Sequence, residues 1–358
     1  MSIQKSFESA AWRRLRKNRL AMGGLLIIVL ALLLAITAYL VAPDGSPYAN
    51  RQIVEIGGRK PGTSFEFLLL KKERQPAKRN FFGRLLFGQE DAYHYIPITA
   101  YQKGTDSITA EEYRDEGLTE TKTYALSQLA SDPVKRQTFW LGTDKFGRDI
   151  SSRIMLGTRV SLSVGLITVL ISLTIGLVLG SIAGYFRGRA DNIIMWLINV
   201  IWSIPTLLLV FAITLALGRG FWQVFIAVGF TMWVNVARLV RGQILAVREL
   251  EYVEAAKALG FSHARTIVRH IWPNIMGPVI VIAASNFASA IVIEAGLSFL
   301  GIGVQPPQPS WGLMIKENYT YIITQNPILA LAPGMAIMLL VLAFNLLGNG
   351  LRDALNVR

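Results

Sequence analysis

Residues 254–274 read EAAKALGFSHARTIVRHIWPN, a polar and basic stretch that lies between two long apolar segments. About 20 apolar residues are needed for a helix to cross the ~30 Å hydrocarbon core of a bilayer. Six segments have this character, at residues 21–42, 160–185, 193–217, 224–240, 279–299 and 328–347. Hydrophobic residues make up 52% of the chain and charged residues 16%, against roughly 25% charged residues in soluble domains. The sequence therefore predicts an all-α polytopic membrane protein with six transmembrane helices, in which residues 254–274 lie outside the bilayer.

The basic residues predict the orientation of the chain in the membrane. Before the first span stand Arg13, Arg14, Arg16, Lys17 and Arg19, with the single acid Glu8. Short loops rich in Lys and Arg stay on the inner side, which predicts a cytoplasmic N-terminus. The same side then holds Arg187 and Arg189, residues 249–273, and the C-terminal tail with Arg352 and Arg358, whereas the short outer connections hold few cations, notably Arg219 and Lys316. We therefore expect a multi-pass protein of the cell inner membrane with both termini cytoplasmic. Its net charge of +13 follows from this topology and needs no nucleic-acid partner.

Composition divides the chain into four segments. We expect a cytoplasmic basic N-terminus at 1–20, a transmembrane anchor helix at 21–42, an extracytoplasmic insert at 43–140, and a core of five spans at 141–358, with the membrane part proper at about 158–349. The apolar run at 21–42 is longer than the 7–15 residues typical of a signal peptide, which favours a retained anchor.

The insert has a soluble composition and is too long for a plain connector. The alternating segments 52–56 and 64–70, with Gly- and Pro-containing turns between them, predict a β-hairpin. Residues 93–101 predict a further strand, and residues 80–88 predict a short amphipathic turn. We expect a small β-containing domain on the outer face.

The polar stretch itself predicts a short helix. Residues 250–259 are rich in good helix formers, and Gly260 follows as a natural C-terminal stop. Ala255 and Ala256 predict a low surface that another protein can approach closely, with the charge of Glu254 beside it. The alternative is a solvated helix that only joins two spans.

The rest of the stretch is basic and ends in a proline. Arg265, Arg269 and His270 are expected near lipid headgroups. Pro273 is expected near the start of the next span, because a missing N–H costs least in the first turn of a helix.

The sequence lacks the residues and motifs that several kinds of chemistry require. It contains no cysteine, and its three histidines, His94, His263 and His270, show no metal-ligand spacing. No G-x-x-x-x-G-K-[ST] phosphate loop is present. We therefore expect no cofactor or metal bound by this chain, and if ATP drives its function, a separate subunit binds the ATP and its Mg²⁺.

The spacing E-A-A, three residues and Gly, in a cytoplasmic run that ends in Pro, resembles the coupling motif of the permease subunits of ABC importers. Glu254, Ala255, Ala256 and Gly260 match that motif, and Pro273 falls at the position of the family's proline. His270 and Trp272 stand where isoleucine and leucine are commoner. Four further segments narrow the resemblance: LGTDKFGRDISS at 141–152, RIMLGTRVSLSVG at 153–165, GLSFLGIG at 296–303 and GLRDAL at 350–355. Together they are similar to the second permease subunit of dipeptide and oligopeptide importers, a group that also includes nickel importers.

The resemblance covers residues 1–42 and about 140–358, and it implies a function. The chain would form half of the translocation pathway of an ATP-driven importer, without an ATPase site of its own. Its partners would be a homologous second permease subunit in a heterodimer, two ATP-binding subunits at the cytoplasmic face, an extracytoplasmic solute-binding protein and membrane lipids. The helix at 254–260 would be the coupling helix seated in a groove of the ATP-hydrolysing subunit. Peptides are the implied substrate, and nickel or another small solute stays open.

Four further residues are candidates for the pathway or its gate. Asp144 and Asp149 stand five residues apart, flanked by Lys145 and Arg148, and we expect the adjacent cation to be a salt partner for each carboxylate. Catalysis by a carboxylate pair would need the two groups to face each other across a substrate. We expect instead an ordered turn, made possible by glycines, that caps the next helix or serves as a gate or receptor contact.

Glu294 is the fourth candidate, because charges inside a span are costly and usually face a cavity or a partner. We expect it to line the pathway or to pack, rather than to relay protons. Two other function classes stay open: an ion-coupled secondary transporter, and a membrane-anchored outer enzyme or assembly factor with the insert as its active domain.

Overall fold

The computed structural model describes residues 12–218, 220–323 and 326–355, so Glu8, Arg219 and Arg358 lie outside the described residues. The helices are α1 Arg19–Val41, α2 Phe81–Phe87, α3 Ile150–Phe186, α4 Gly188–Trp202, α5 Thr206–Leu217, α6 Phe221–Val247, α7 Glu251–Ala258, α8 His263–Leu300, α9 Trp311–Asn318 and α10 Ile328–Leu355. By length and composition, five of the described helices (α1, α3, α6, α8 and α10) can each cross a membrane. The pair α4–α5 makes a sixth span if it is counted as one. The predicted polytopic helical fold is confirmed.

The predicted span at 193–217 is divided between α4 and α5, which meet at a bend of 92°. The break falls at Ser203, Ile204 and Pro205. Proline has no N–H to donate, and its ring disfavours helical geometry at the residue before it. A hydropathy window averages over such a break, so composition alone does not reveal it.

The chain forms two compact units. The first unit comprises Met1–Ala31, Ser161–Gln305 and Ile337–Arg358. Within it, Gly176, Gly180 and Gly184 stand at every fourth position of α3 and lie against α6. A Cβ atom at Gly176 would lie 2.4 Å from the Cβ of Val236, and one at Gly180 would lie 2.6 Å from the carbonyl oxygen of Ala237. Small residues at this spacing let membrane helices approach closely, so the backbone of α3 at these glycines lies directly against α6.

The second unit comprises Leu32–Val160 and Pro306–Ala336, and it contains the only sheet within the described part of the chain. The strands are β1 Thr63–Lys71, β2 Tyr93–Lys103, β3 Ser107–Asp115, β4 Leu118–Ala125 and β5 Leu129–Phe139. They are all antiparallel and run in the order β4-β3-β2-β1-β5. Strand β1, between β2 and β5, contributes Phe67 to an apolar cluster on one face and Leu68 to a cluster on the other, as expected from the alternation of side chains along a strand.

The structure confirms three of the elements predicted within 43–140 and contradicts one. Residues 64–70 lie in β1 and residues 93–101 in β2. Helix α2 has Asn80 as its N-cap and Gly88 as its C-cap, the two ends of the predicted turn. The strand predicted at 52–56 is wrong, because residues 54–56 form a 3₁₀ turn whose Ile56 packs against the sheet beside Phe67. The boundaries of the insert stay a prediction.

Candidate functional site

The predicted helix in the loop at 249–273 is α7, and Gly260 ends it as expected. Gly260 has a φ of 76°, in the left-handed region that favours glycine. Its N–H donates to the carbonyl of Lys257 at 2.9 Å, and the N–H of Phe261 donates to the carbonyl of Ala256 at 3.1 Å. This pair of bonds is the Schellman motif, which satisfies carbonyls left without partners at a helix end.

One face of α7 is buried and the other is exposed. Val253 and Ala256 are buried, and Val253 belongs to the apolar cluster that includes Ile267 and Ile271 of α8. Glu254 and Ala255 are exposed. The expectation that Ala256 forms part of an approachable surface is wrong, because only 4% of this residue is exposed. The surface that α7 offers to another protein carries Glu254 and Ala255.

Helix α8 begins well before the proline that was expected near its start. Residues Thr266–Ile271 are π-helical, and α-helical geometry resumes at Trp272 with Pro273 next to it. A π turn accommodates a break in the regular hydrogen-bond ladder, which Pro273 causes because it has no N–H. His270 stacks on Phe261 with ring centroids 5.6 Å apart, and the guanidinium of Arg265 lies 4.2 Å from the same Phe261 ring.

Asp144 and Arg148 form a buried pair within a tight turn of the second unit. The Arg148 Nε donates to Asp144 Oδ2 at 2.6 Å, and the backbone N–H groups of Phe146 and Arg148 donate to Asp144 Oδ1 at 2.9 and 3.0 Å. Gly142 and Gly147 have φ values of 79° and 71°, as the predicted ordered turn requires. Both charged side chains are almost completely buried.

Asp149 is the N-terminal cap of α3. Its Oδ2 accepts from the backbone N–H of Ser152 at 3.0 Å, and its Oδ1 accepts from the hydroxyl of Ser151 at 2.9 Å. No basic side chain pairs with Asp149 in the described residues, so the expectation of a salt partner for each aspartate holds for Asp144 and is wrong for Asp149. Burial raises the pKa of Asp149, although the bonds from Ser152 and Ser151 oppose the shift.

No sequence pattern pointed to the acid that completes this network. The Oε2 of Glu317, near the end of α9, lies 2.8 Å from Arg148 Nη2 and 3.5 Å from Arg153 Nη2. Arg153 is almost fully buried, and its Nε and Nη1 have no hydrogen-bond partner in the described part of the chain. Arg148 and Glu317 are 169 residues apart in sequence, so only the fold brings them together.

Glu294 is fully buried in α8. Its Oε1 accepts from the hydroxyl of Ser298 at 2.7 Å, and the Ser298 hydroxyl in turn accepts from the backbone N–H of Val304 at 3.0 Å. The carboxylate thus helps to hold the turn that follows α8. This buried bond fits the expected packing role, and a role of Glu294 in the pathway stays a prediction.

Two cavities of the first unit form a further candidate site. Their volumes are about 480 Å³ and about 540 Å³, and they share Asn235 of α6 and Ser289 of α8 as lining residues. We call the two cavities together the polar lane. Its polar side chains are Thr206, Thr231, Asn235, Gln243, Ser285, Asn286, Ser289, Asn345 and Arg352.

The lining residues of the polar lane repeat at helical spacing. Helix α6 contributes Thr231, Asn235, Leu239 and Gln243; α8 contributes Pro278, Ile282, Ser285, Ser289 and Val292; and α10 contributes Val341, Asn345, Arg352 and Leu355. Residues three and four apart lie on one face of a helix, so each helix presents one stripe to the lane. This periodicity of polar residues inside apolar spans was visible in the sequence, but it does not show which helices face each other.

Helices that span a membrane and line a polar lane define a multi-pass membrane transport component. The family described as "Binding-protein-dependent transport system inner membrane component" matches residues 176–358, and "N-terminal TM domain of oligopeptide transport permease C" matches residues 6–54. The chain belongs to the family of binding-protein-dependent transport system inner membrane components. It is a permease of an ABC importer, located in the inner membrane, and it works with ATPase and binding-protein partners.

Characterised relatives are similar over most of their length. The chain is 44% identical over 217 residues to the glutathione transport system permease protein GsiD of Pectobacterium atrosepticum, a match that covers 61% of this chain and 72% of the relative. It is 43% identical to the dipeptide transport system permease protein DppC of Alkalihalophilus pseudofirmus, with 61% and 71% covered. It is 39% identical to the oligopeptide transport system permease protein OppC of Bacillus subtilis, with 64% and 74% covered. A solved structure of the MetNI methionine ABC transporter aligns with a TM-score of 0.48 and 16% identity over 58% of this chain and 98% of that chain.

The resemblance to the permease subunits of ABC importers is therefore confirmed, and so is the expectation of a transport component without an ATPase domain. The assignment of individual residues to coupling, pathway or gate stays a prediction.

Proposed function

We propose that this chain is the second permease subunit of an ATP-driven peptide importer. The observation that carries the proposal is the polar lane, whose amide and hydroxyl side chains repeat along α6 and α8 and are joined by Asn345 of α10. Such groups donate and accept hydrogen bonds, as the backbone amides of a peptide require once it leaves water. The names of the relatives, which refer to glutathione, dipeptides and oligopeptides, support the same substrate class.

In the proposed complex, a homologous second permease subunit supplies the other half of the pathway. An extracytoplasmic binding protein delivers the peptide, and two ATP-binding subunits bind and hydrolyse ATP with Mg²⁺ at the cytoplasmic face. Both termini and the loop at 249–273 lie on that face. The ATPase subunits move the permease through α7, which alternates the pathway between outward- and inward-facing packing.

The geometry of α7 supports its role in coupling. Its exposed face presents Glu254 and Ala255, while Val253 on the opposite face is buried with Ile267 and Ile271 of α8. A force applied to the exposed face therefore reaches a membrane-spanning helix through packed side chains. The Schellman motif at Gly260 ends the helix in one defined conformation.

A cross-linking experiment tests the coupling role cleanly, because the chain contains no cysteine. We would introduce Ala255→Cys or Ala256→Cys, label each variant with a photoreactive maleimide, and illuminate the complete importer in the membrane. The exposed position 255 is expected to cross-link to an ATPase subunit, and the buried position 256 serves as the matched control. If the cysteines at positions 255 and 256 are labelled to the same extent and position 255 forms no adduct with an ATPase subunit, coupling through the exposed face of α7 is contradicted.

The substrate class is tested with the complete importer in proteoliposomes. ATP-dependent uptake of small alanine peptides, supplied with the binding protein, is the expected result. Uptake of Ni²⁺ in place of peptide would assign the chain to the nickel branch of the family. Uptake driven by an ion gradient without ATP would contradict the proposal.

A further inference from the structure

We propose that Arg238 of α6 forms, with Trp202 of α4, a subsite that binds the carboxylate of the transported molecule. The inference rests on the proposed function and names one chemical group that the pathway recognises. It concerns a residue that no sequence motif singled out.

The position of Arg238 beside the lane is defined by its contacts. Its guanidinium carbon lies 3.6 Å from the centroid of the Trp202 ring, and its Nη2 donates to Asn199 Oδ1 at 3.0 Å. Trp202 lines the cavity of about 480 Å³, and Asn235, one helical turn before Arg238, lines both cavities. The cation therefore lies against the ring of a residue that lines the polar lane.

The neighbouring Arg241 has a carboxylate partner, whereas Arg238 has none among the described residues. Arg241 makes two bonds to Asp191, from Nε at 2.5 Å and from Nη2 at 2.7 Å. Arg238 has no carboxylate within salt-bridge distance among the described residues, and its buried Nε has no hydrogen-bond partner there. Charged side chains inside membrane spans are costly, and they face cavities, pair with opposite charges or mark substrate pathways. A guanidinium that lacks a carboxylate partner among the described residues, and that contacts a cavity-lining ring, thus has the features of a binding group.

The ligand class follows from the chemistry of the guanidinium and its surroundings. The planar fork of an arginine matches a carboxylate, which can accept two parallel hydrogen bonds from it. The cation–π contact with Trp202 engages the face of the guanidinium, so hydrogen bonds form at its edge, where Nη2 already donates to Asn199. No acidic side chain lines either cavity in the described part of the chain, and Arg352 is the one charged residue among the lining residues described. A peptide has such a carboxylate at its C-terminus, and an acidic side chain supplies the same group.

The test compares three probes in proteoliposomes that hold the complete importer: trialanine as the free acid, trialanine amide, and the amide of Ala-Glu-Ala. Wild type, Arg238→Gln and Arg238→Lys are compared with each probe, and the variant-to-wild-type ratio cancels any preference of the binding protein. Arg238→Gln is expected to lower uptake of the free acid about tenfold, the loss expected for a charge-assisted hydrogen bond. Uptake of trialanine amide should fall less than twofold, and Arg238→Lys should restore part of the uptake of the acid.

The third probe separates the two sources of a carboxylate. If the Glu-containing amide is as sensitive to Arg238→Gln as the free acid, the subsite binds any carboxylate. If only the free acid is sensitive, the subsite binds the peptide C-terminus. Both results support the inference.

Two other outcomes overturn it. An equal loss with the acid and with trialanine amide, together with a lower yield of assembled complex, would mean that Arg238 pairs with an acid of the partner permease. Unchanged uptake of the acid in Arg238→Gln would also overturn it. If wild type takes up none of the three probes with ATP, the proposed peptide function fails, and this inference fails with it.

Discussion

The packing of α3 against α6 predicts that a single methyl group at Gly180 destabilises the first unit. In Gly180→Ala, the new Cβ would lie 2.6 Å from the carbonyl oxygen of Ala237 and 2.8 Å from the Cβ of Val240. Ordinary contacts of a Cβ begin near 3.4 Å, so the two helices have to separate by several tenths of an ångström. Inserting a methyl group into a well-packed core costs about 1–3 kcal/mol, and alanine returns up to ~1 kcal/mol through its higher helix propensity. We expect a net loss of about 1–2 kcal/mol in the free energy of unfolding.

The assay is the unfolding midpoint of the purified protein in a mild detergent, measured by heating or by titration with a denaturing detergent. Gly23→Ala is the matched control, because Gly23 lies in α1 and no atom lies within 4 Å of a Cβ built there. The control is expected to be neutral or slightly stabilising. If Gly180→Ala unfolds at the same midpoint as Gly23→Ala, the close approach of α3 and α6 is refuted.

Two further predictions concern charged groups of the second unit. Glu317→Gln removes the carboxylate that faces Arg148 and the buried Arg153. Breaking a buried pair costs about 3–5 kcal/mol in the free energy of unfolding. The control Glu116→Gln breaks an exposed pair with Arg59 and should cost less than ~1 kcal/mol. Equal unfolding midpoints for these two variants would contradict the buried network. The raised pKa of Asp149 means that the folded protein holds this proton more tightly than the unfolded chain, so stability is lost as pH rises from about 4 through the raised pKa. Asp149→Asn keeps the helix cap and removes this loss of stability. The unfolding midpoint of the variant should therefore rise relative to that of wild type as pH rises through this range. A difference in midpoint that is the same at every pH would contradict the raised pKa of Asp149.

Much of the fold is visible in local sequence patterns. A run of about 20 apolar residues has few alternatives to a membrane-spanning helix, because backbone groups inside a bilayer find partners only within the helix itself. The helix α7 and its stop at Gly260 were predictable for a similar reason, since a left-handed C-terminal residue is needed there and glycine supplies it without strain. The cap at Asp149 also depends on residues within three positions of it.

The errors arose where long-range contacts override local patterns. Residues 52–56 alternate like a strand, yet Ile56 packs on the sheet face beside Phe67 from a 3₁₀ turn, and residues 54–56 pair with no strand. Ala256 is as small as an approachable surface requires, but its position one turn after Val253 places it on the buried face of α7.

The sequence by itself determined that this chain is a multi-pass helical membrane protein, because hydrophobic length and basic loops act through local interactions with the bilayer. Its short motifs were sufficient to predict the family to which it belongs. Only the tertiary structure determined which helix faces form the polar lane, that Trp202 lies under Arg238, and that Glu317 joins Arg148 and Arg153. Residues that meet in these sites are far apart along the chain, and a side chain's environment depends on neighbours that only helix packing brings within a few ångströms.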